Sequence, residues 1–200
     1  TPRLINNEGQ LVEFLIPVAD APAAGSQTPV SDATFEAMAW TLAAHELRPG
    51  HELQFSAMMD RGVPIARALY AFNSTNVEGW ALYAESLGEE MGFFRDPYAR
   101  FGQLTYEMWR AIRLVVDPAM HTRGWSRRQA ISFFRENSSK TDHDIQVEID
   151  RYIVWPGQAL AYKVGQLKMR DIRAGAEQRL GDKFDVKAFH TQVLKDGAMP

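Results

Sequence analysis

The sequence predicts a mainly α-helical protein with one short strand near its N-terminus. Apolar residues recur at helical spacing through most of the 200 residues, and capping residues or Gly and Pro stop signals separate the stretches. Only residues 11–17 combine a short apolar run with a closing proline, as a strand does. Because a lone strand is unstable, we expect it to pair with another segment or to form an edge for an extended ligand.

About eight helices are expected after the Pro/Gly-rich loop at residues 19–31. Ser31 or Asp32 can cap the first, which begins near residue 33. Ser126 and Gln129 form a capping box, and proline or glycine marks other boundaries. The remaining helices are predicted at about 76–90, from 97 through 115, at 126–136, 141–155 and 157–178, and from 185 to 194.

Composition excludes several classes of function. The net charge is -3 and the basic residues are scattered, so nothing favours nucleic acid or an anionic membrane. No apolar run approaches the roughly 20 residues of a transmembrane helix. The chain has no cysteine, so disulfides and thiolate zinc sites are excluded and any metal must be bound by His, Asp or Glu.

A candidate zinc motif occupies residues 45–51, His-Glu-Leu-Arg-Pro-Gly-His. Zinc-binding histidines on a helix are usually four residues apart, whereas a spacing of six places them about 240° apart around an unbroken helix. Pro49 and Gly50 predict a local break that turns His51 back toward His45. Glu46 is then the expected general base for a zinc-activated water. By spacing alone, two surface histidines at a helix end are an equally good interpretation.

The third ligand is sought between residues 78 and 85, where two glutamates lie two helical turns apart among apolar side chains. We prefer Glu78 as the metal ligand and Glu85 as the partner of a ligating histidine. For Glu85, a place in the solvated acidic run that continues with Glu89 and Glu90 is a serious alternative.

From about residue 40 to residue 197, the chain resembles a known family, the bacterial "domain of unknown function 885" proteins, relatives of gluzincin-type zinc metallopeptidases. The blocks that carry the resemblance occur in order: HELRPGHELQ, VEGWALYAESLGEEMG, RLVVDPAMH, EIDRYIVWPGQALAYKVG and FDVKAFHTQVLKDGAMP. The resemblance implies a gluzincin-like, elongated helical peptidase fold. It assigns Glu78 as third ligand and Glu46 as base. Glu52 departs from the family, which often has histidine there, and adds negative charge near the metal.

Further site residues are sought inside the matched blocks. An oxyanion donor is expected at Tyr152 or His121, with Tyr162 as another possibility, and Arg151 or Arg113 is expected to bind a substrate carboxylate. The alternative for each is structural: a core tyrosine or a salt-bridged arginine. The five tryptophans are assigned to the core.

The sequence therefore predicts one helical, zinc-binding catalytic domain over residues 1–200, the C-terminal part of a larger protein. The predicted function is a Zn²⁺-dependent metallopeptidase that cleaves short peptides. An inactive peptide-binding module and a metal hydrolase of another amide or ester are the alternatives. Expected partners are a peptide or small amide substrate and a missing N-terminal region, and not nucleic acid. Family resemblance favours an exported or lipid-anchored bacterial protein, and a cytoplasmic one is the alternative.

Overall fold

A computed structural model describes residues 36–199, which form nine α-helices and one short 3₁₀ helix. None of these described residues lies in a β-strand. The strand predicted at residues 11–17, the loop at 19–31 and the start of the first helix lie outside the described residues. The helices are α1 (Glu36–Glu46), α2 (His51–Asp60), α3 (Ile65–Tyr70), α4 (Ser74–Glu90), α5 (Pro97–Arg123), α6 (Arg127–Asn137), α7 (Asp142–Val154), α8 (Gln158–Leu180) and α9 (Val186–Leu194), with the 3₁₀ turn at Gly181–Lys183.

The predicted helix boundaries are confirmed where the capping chemistry is strong. Ser126 and Gln129 make a full capping box at the start of α6. The side chains of Asp96, Thr141 and Asp185 each accept a backbone N–H from the first turn of α5, α7 and α9 respectively. The sequence did not predict α2 and α3 as separate helices.

The described residues divide into two compact units, each with its own core. The first unit comprises residues 43–88 and 161–199, and the second comprises residues 36–42 and 89–160. In the first, the buried cluster is Trp80, Tyr83, Leu87, Met169 and Leu194. In the second, it is Ile112, Val116, Ala130, Ile131, Phe134, Ile145, Ile149, Tyr152 and Ala159, contributed mainly by α5, α6 and α7. The single domain predicted for residues 1–200 thus consists of two units over its described part.

Two glycines bring α4 and α8 into backbone contact inside the first unit. A Cβ atom on Gly79 would lie 2.4 Å from the Cα of Gly165, and a Cβ on Gly165 would lie 2.1 Å from the carbonyl oxygen of Thr75. Beside this crossing, the buried Gln166 donates its amide N–H to the carbonyl of Leu82 at 3.1 Å. The two helices can approach this closely because neither glycine has a side chain at the crossing, and the Gln166 amide adds a hydrogen bond between the helices.

Among the helices of residues 36–199, none combines the length and apolar character needed to cross a membrane.

Candidate metal centre

The predicted break between the two histidines is present. Helix α1 ends at Glu46 and α2 begins at His51, and the peptide bond between Arg48 and Pro49 in the intervening turn is cis. Gly50 is fully enclosed in this turn, because a Cβ atom there would lie 1.8 Å from the carbonyl oxygen of His45. The chain folds so tightly that His51 returns to the neighbourhood of His45, and the two ring centroids lie 4.9 Å apart at 90°.

His45, His51 and Glu78 converge on one point. Each offers a ligand atom, and these atoms all lie within 4.8 Å of one another. The Oε2 of Glu78 lies 3.7 Å from Nε2 of His45 and 3.4 Å from Nε2 of His51. Tetrahedral zinc with bonds of about 2.0–2.1 Å separates its ligand atoms by about 3.3 Å. The two distances from Glu78 are close to that separation, and two imidazole nitrogens with one carboxylate oxygen are a set of donor atoms that zinc accepts.

Hydrogen bonds hold both imidazoles with Nε2 facing Glu78. The Nδ1 of His45 lies 2.7 Å from Oε1 of Glu85, whose side chain is completely buried. The Nδ1 of His51 lies 3.3 Å from Oε1 of Gln54. Carboxylate and amide oxygens accept, so each Nδ1 donates a hydrogen bond and each Nε2 is the nitrogen that faces Glu78. Both rings are thus held with Nε2 directed at the same carboxylate oxygen.

The carboxyl group of Glu78 is held in its charged form. Burial acts to raise its pKa, but hydrogen bonding and charge from His45 and His51 outweigh burial and hold the pKa well below its usual range. A carboxylate ligand must be deprotonated to bind a metal, so this environment favours the binding form of Glu78.

Glu46 and Glu52 differ in their surroundings. Glu46, predicted as the base, is the last residue of α1, directly follows His45 in the sequence, and has a solvent-exposed side chain. Glu52 is held by the guanidinium of Arg48 and accepts a hydrogen bond from the hydroxyl of Ser56 at 2.6 Å. The negative charge that Glu52 was expected to add near the metal is therefore neutralised by Arg48.

Tyr162 is the predicted oxyanion or substrate residue that lies beside the histidines. Its ring is nearly parallel to that of His45, with centroids 6.3 Å apart and 20° between the planes. The side chain is only partly buried and stands on α8, one turn before Gly165. Tyr162 therefore stands on the helix that meets the helix of Glu78 at the glycine crossing.

Tyr152 belongs to a buried polar network in the second unit. Its hydroxyl accepts hydrogen bonds from Arg113 at 2.8 Å and from Trp109 at 3.1 Å, and donates to Glu148 at 2.6 Å. Burial first, then the neighbouring Glu148, raises the pKa of Tyr152 to about 12. This hydroxyl stays protonated and its donor and acceptor positions are all used.

His121, Arg151 and Arg113 join the same network. His121 contacts the backbone carbonyl of Tyr152 through Nε2 at 3.0 Å, and Arg151 and Arg113 each donate to Glu148 at 3.0 Å. Burial acts to raise the pKa of Glu148, but the charges of Arg113 and Arg151 hold it below its usual value. The hydrogen bonds described for these four predicted residues lie within the second unit, whereas His45, His51 and Glu78 lie within the first.

Three residues with roles in these arrangements were not predicted from the sequence: Gln54, Asn76 and Glu148. Gln54 orients His51, and its own amide N–H donates to Asn76 at 3.4 Å. The role of Gln54 could have been predicted, because Gln54 follows His51 by three residues and so shares its face of α2. Glu148 accepts hydrogen bonds from Tyr152 and two arginines, and no pattern in the neighbouring sequence predicts this role.

Comparison with known proteins identifies one family, and the solved structures that the chain resembles include the two described below. A family described as "Bacterial protein of unknown function (DUF885)" matches residues 16–200. A solved structure of a candidate lipoprotein from Colwellia psychrerythraea is 43% identical, with a TM-score of 0.79 over 82% of this chain and 28% of that one. A candidate lipoprotein of unknown function from Shewanella oneidensis is 26% identical, with a TM-score of 0.74 over 80% of this chain and 29% of that one.

The chain thus spans less than a third of the length of either solved relative. No curated protein matches it.

Proposed function

This chain belongs to the bacterial DUF885 family, whose function is unknown, and we propose that it is a zinc-dependent hydrolase, specifically a gluzincin-like metallopeptidase that cleaves short peptides. The observation that carries the proposal is the convergence of two Nε2 atoms on the Glu78 carboxylate, with both Nδ1 atoms already hydrogen-bonded. The combination of two histidines and one glutamate, with one coordination position left open, is characteristic of catalytic rather than structural zinc.

His45, His51 and Glu78 would hold the ion. When bound, zinc supplies a positive charge that acidifies a water and polarises a carbonyl group. Glu46 is the proposed general base, because it directly follows His45 and its exposed carboxylate is open to solvent and substrate. It would accept a proton from the attacking water and deliver it to the leaving amine.

For the hydrogen bond to the developing oxyanion we propose Tyr162. It stands beside His45, its side chain is partly accessible, and its hydroxyl is of the type that stabilises such charge. Tyr152 and His121 were the first choices from sequence. Because the Tyr152 hydroxyl already has three partners in the second unit, moving it into catalysis would require breaking a buried network.

Metal content is the first test. Purified protein incubated with zinc and then dialysed is expected to hold about one zinc per chain by elemental analysis. His45→Ala and His51→Ala should each lower that content sharply, whereas His143→Ala, at an exposed position on α7, should not. A folded wild-type chain that takes up no zinc would refute the proposed function.

Turnover is the second test, measured by mass spectrometry on a library of short peptides. Glu46→Gln should keep its zinc and lose at least about 100-fold in rate, as expected when a general base is removed. Glu136→Gln, an exposed glutamate on α6, is the matched control and should retain full activity. Stoichiometric zinc without hydrolysis of any peptide would favour the binding-module alternative or a non-peptide amide or ester substrate.

The whole protein is proposed to be longer than these 200 residues and exported or lipid-anchored. Both solved relatives are described as candidate lipoproteins, and the chain covers 28% and 29% of them. We therefore propose that a further region of the same protein completes the peptide-binding cleft. Measuring peptide hydrolysis by the 200-residue chain and by the native full-length protein tests this: equal kcat/KM values would show that no further region is needed.

A further inference from the structure

His51 is the first residue of α2 and directly follows the turn at Pro49 and Gly50. Gly50, the N-cap residue of α2, has no side chain to cap the helix, and its carbonyl oxygen accepts the backbone N–H of Gln54 at 3.1 Å. It directly precedes His51, so the Gly50–His51 peptide plane determines where the His51 side chain starts. The hydrogen bond from Gln54 holds this plane from within α2, and a group outside the turn that bonds to the same carbonyl would hold it further, keeping the Nε2 of His51 near Glu78.

Trp80 is that group. Its indole N–H points at two successive carbonyl oxygens of the turn, 3.0 Å from that of Pro49 and 3.2 Å from that of Gly50. The side chain is completely buried, so these carbonyls have no competing water on that side. Trp80 also follows the ligand Glu78 by two residues on α4. One helix therefore supplies the third ligand and the contact that holds the second ligand's backbone.

The indole is itself held from the other side by α9. His190 packs edge-on against the Trp80 ring, with centroids 5.4 Å apart at 89°. The Nε2 of His190 lies 2.9 Å from the hydroxyl of Tyr83, and Arg173 donates to the same hydroxyl oxygen at 3.1 Å. Because the oxygen accepts from Arg173, its proton is available to donate to His190. This arrangement fixes the plane of the imidazole against the indole.

We infer that Trp80 is a positioning residue for the metal centre: its N–H anchors the Pro49–Gly50 carbonyls so that His51 meets Glu78, and His190 of α9 keeps the indole in place. The inference rests on the proposed function, since it concerns how the zinc ligands are arranged. It assigns a specific role to a tryptophan that the sequence analysis treated as ordinary core.

The test compares Trp80→Phe with Trp109→Phe. Both replacements keep an aromatic ring and remove one indole N–H, but the N–H of Trp109 donates to Tyr152 in the second unit. Zinc dissociation constants are measured by competition with a chromophoric chelator, well below the melting temperature of each variant. Co²⁺ is used as a second probe, because its visible absorption reports ligand geometry.

Trp80→Phe is expected to raise the zinc Kd about tenfold, within the range for residues that support metal ligands. It should also change the Co²⁺ spectrum. Trp109→Phe is expected to lower the melting temperature while leaving the zinc Kd and the Co²⁺ spectrum as in the wild type. If Trp80→Phe loses thermal stability but keeps the wild-type zinc Kd and Co²⁺ spectrum, the role is only structural and the inference is wrong.

Tyr83→Phe gives a milder test should Trp80→Phe fail to fold. It removes only the hydroxyl that contacts His190, so an increase in zinc Kd of about threefold is expected from the loosened indole; an unchanged Kd would overturn the inference. The outcomes remain distinguishable from failure of the proposed function. A folded wild-type protein that binds no zinc refutes both, whereas tight wild-type binding with unaltered variants refutes only the role of Trp80.

Discussion

Gly50→Ala is the substitution for which the structure gives the sharpest expectation. The new Cβ would lie 1.8 Å from the carbonyl oxygen of His45 and 2.5 Å from that of Ala44. Real Cβ atoms essentially never approach another heavy atom closer than 3.0 Å, so the turn must open by at least 1.2 Å at the His45 contact. Both atoms in conflict belong to backbone, and no side chain can rotate away to relieve it.

The size of the effect follows from the tolerance of zinc coordination. Ligand distances must lie within about 0.2 Å of ideal, and the required opening is several times larger. We expect zinc affinity to fall about 100-fold, the upper end for perturbations around metal ligands. Without metal, overpacking of this kind should cost about 3 kcal/mol. For a chain of this size, that corresponds to a melting temperature lower by about 6–12 °C.

The assay pairs a chelator-competition titration with thermal unfolding of the metal-free protein by circular dichroism. Gly175→Ala in α8 is the control, because its Cβ would meet only the flexible end of Arg179 at 3.2 Å. That variant should bind zinc normally and melt slightly higher, since alanine favours a helix interior by about 1 kcal/mol over glycine. Zinc binding by Gly50→Ala within about threefold of wild type, a difference under 1 kcal/mol, would refute the steric reasoning.

Three further outcomes are expected. Glu85→Gln should weaken zinc binding about tenfold in the chelator titration, because a neutral amide replaces the carboxylate that orients His45; unchanged affinity would contradict this role. Tyr162→Phe should lower kcat about 100-fold with zinc content unchanged, whereas Tyr152→Phe should lower the melting temperature and spare kcat; the reverse pattern would restore Tyr152 as the oxyanion donor. The pKa of Glu148 is lower in the folded protein than in the unfolded chain, where it is about 4.3. Ionised Glu148 therefore stabilises the folded protein above about pH 4.3, and this stabilisation is lost as the pH falls from there toward the folded-state pKa. Glu148→Gln should therefore melt lower than wild type at pH 7, with a gap that narrows by pH 3, and a gap independent of pH would show that ionisation of Glu148 is not involved.

Local chemistry explains which parts of the fold were predictable. Ser126, Thr141 and Asp185 cap helices through side chains that act within three residues, so the boundaries of α6, α7 and α9 followed from the sequence. The break before His51 was predictable for the same reason, since Pro49 and Gly50 act on adjacent residues. Helical register placed Glu78 and Glu85 on one face, and the choice of Glu78 as the partner of the histidines was a preference that the family resemblance supported.

The limits of the prediction appear where contacts join distant segments. Tyr162 and Tyr152 are both tyrosines on helices in one matched block, and nothing local distinguishes them. The two tyrosines differ in the residues that they contact in the folded protein: Tyr162 lies beside the ring of His45, whereas Tyr152 hydrogen-bonds to Arg113 and Glu148. The hydrogen bonds from Trp80 to the turn before His51 span about thirty residues of sequence and were invisible for the same reason.

The backbone contact between Gly79 and Gly165 has a consequence for recognising such sites in other sequences. A search for the histidine motif alone would return many helix ends that bind nothing, because His-Glu pairs are common. Gly79 belongs to the Glu-Gly pair of one helix and Gly165 to the Tyr-x-x-Gly segment of the other. A methyl group on either glycine would force the two helices apart at the contact, and we expect this to move Tyr162 away from His45. His-Glu-x-x-Pro-Gly-His, Glu-Gly and Tyr-x-x-Gly together form a three-part signature of the proposed site, and we expect a sequence that lacks either glycine not to form this arrangement.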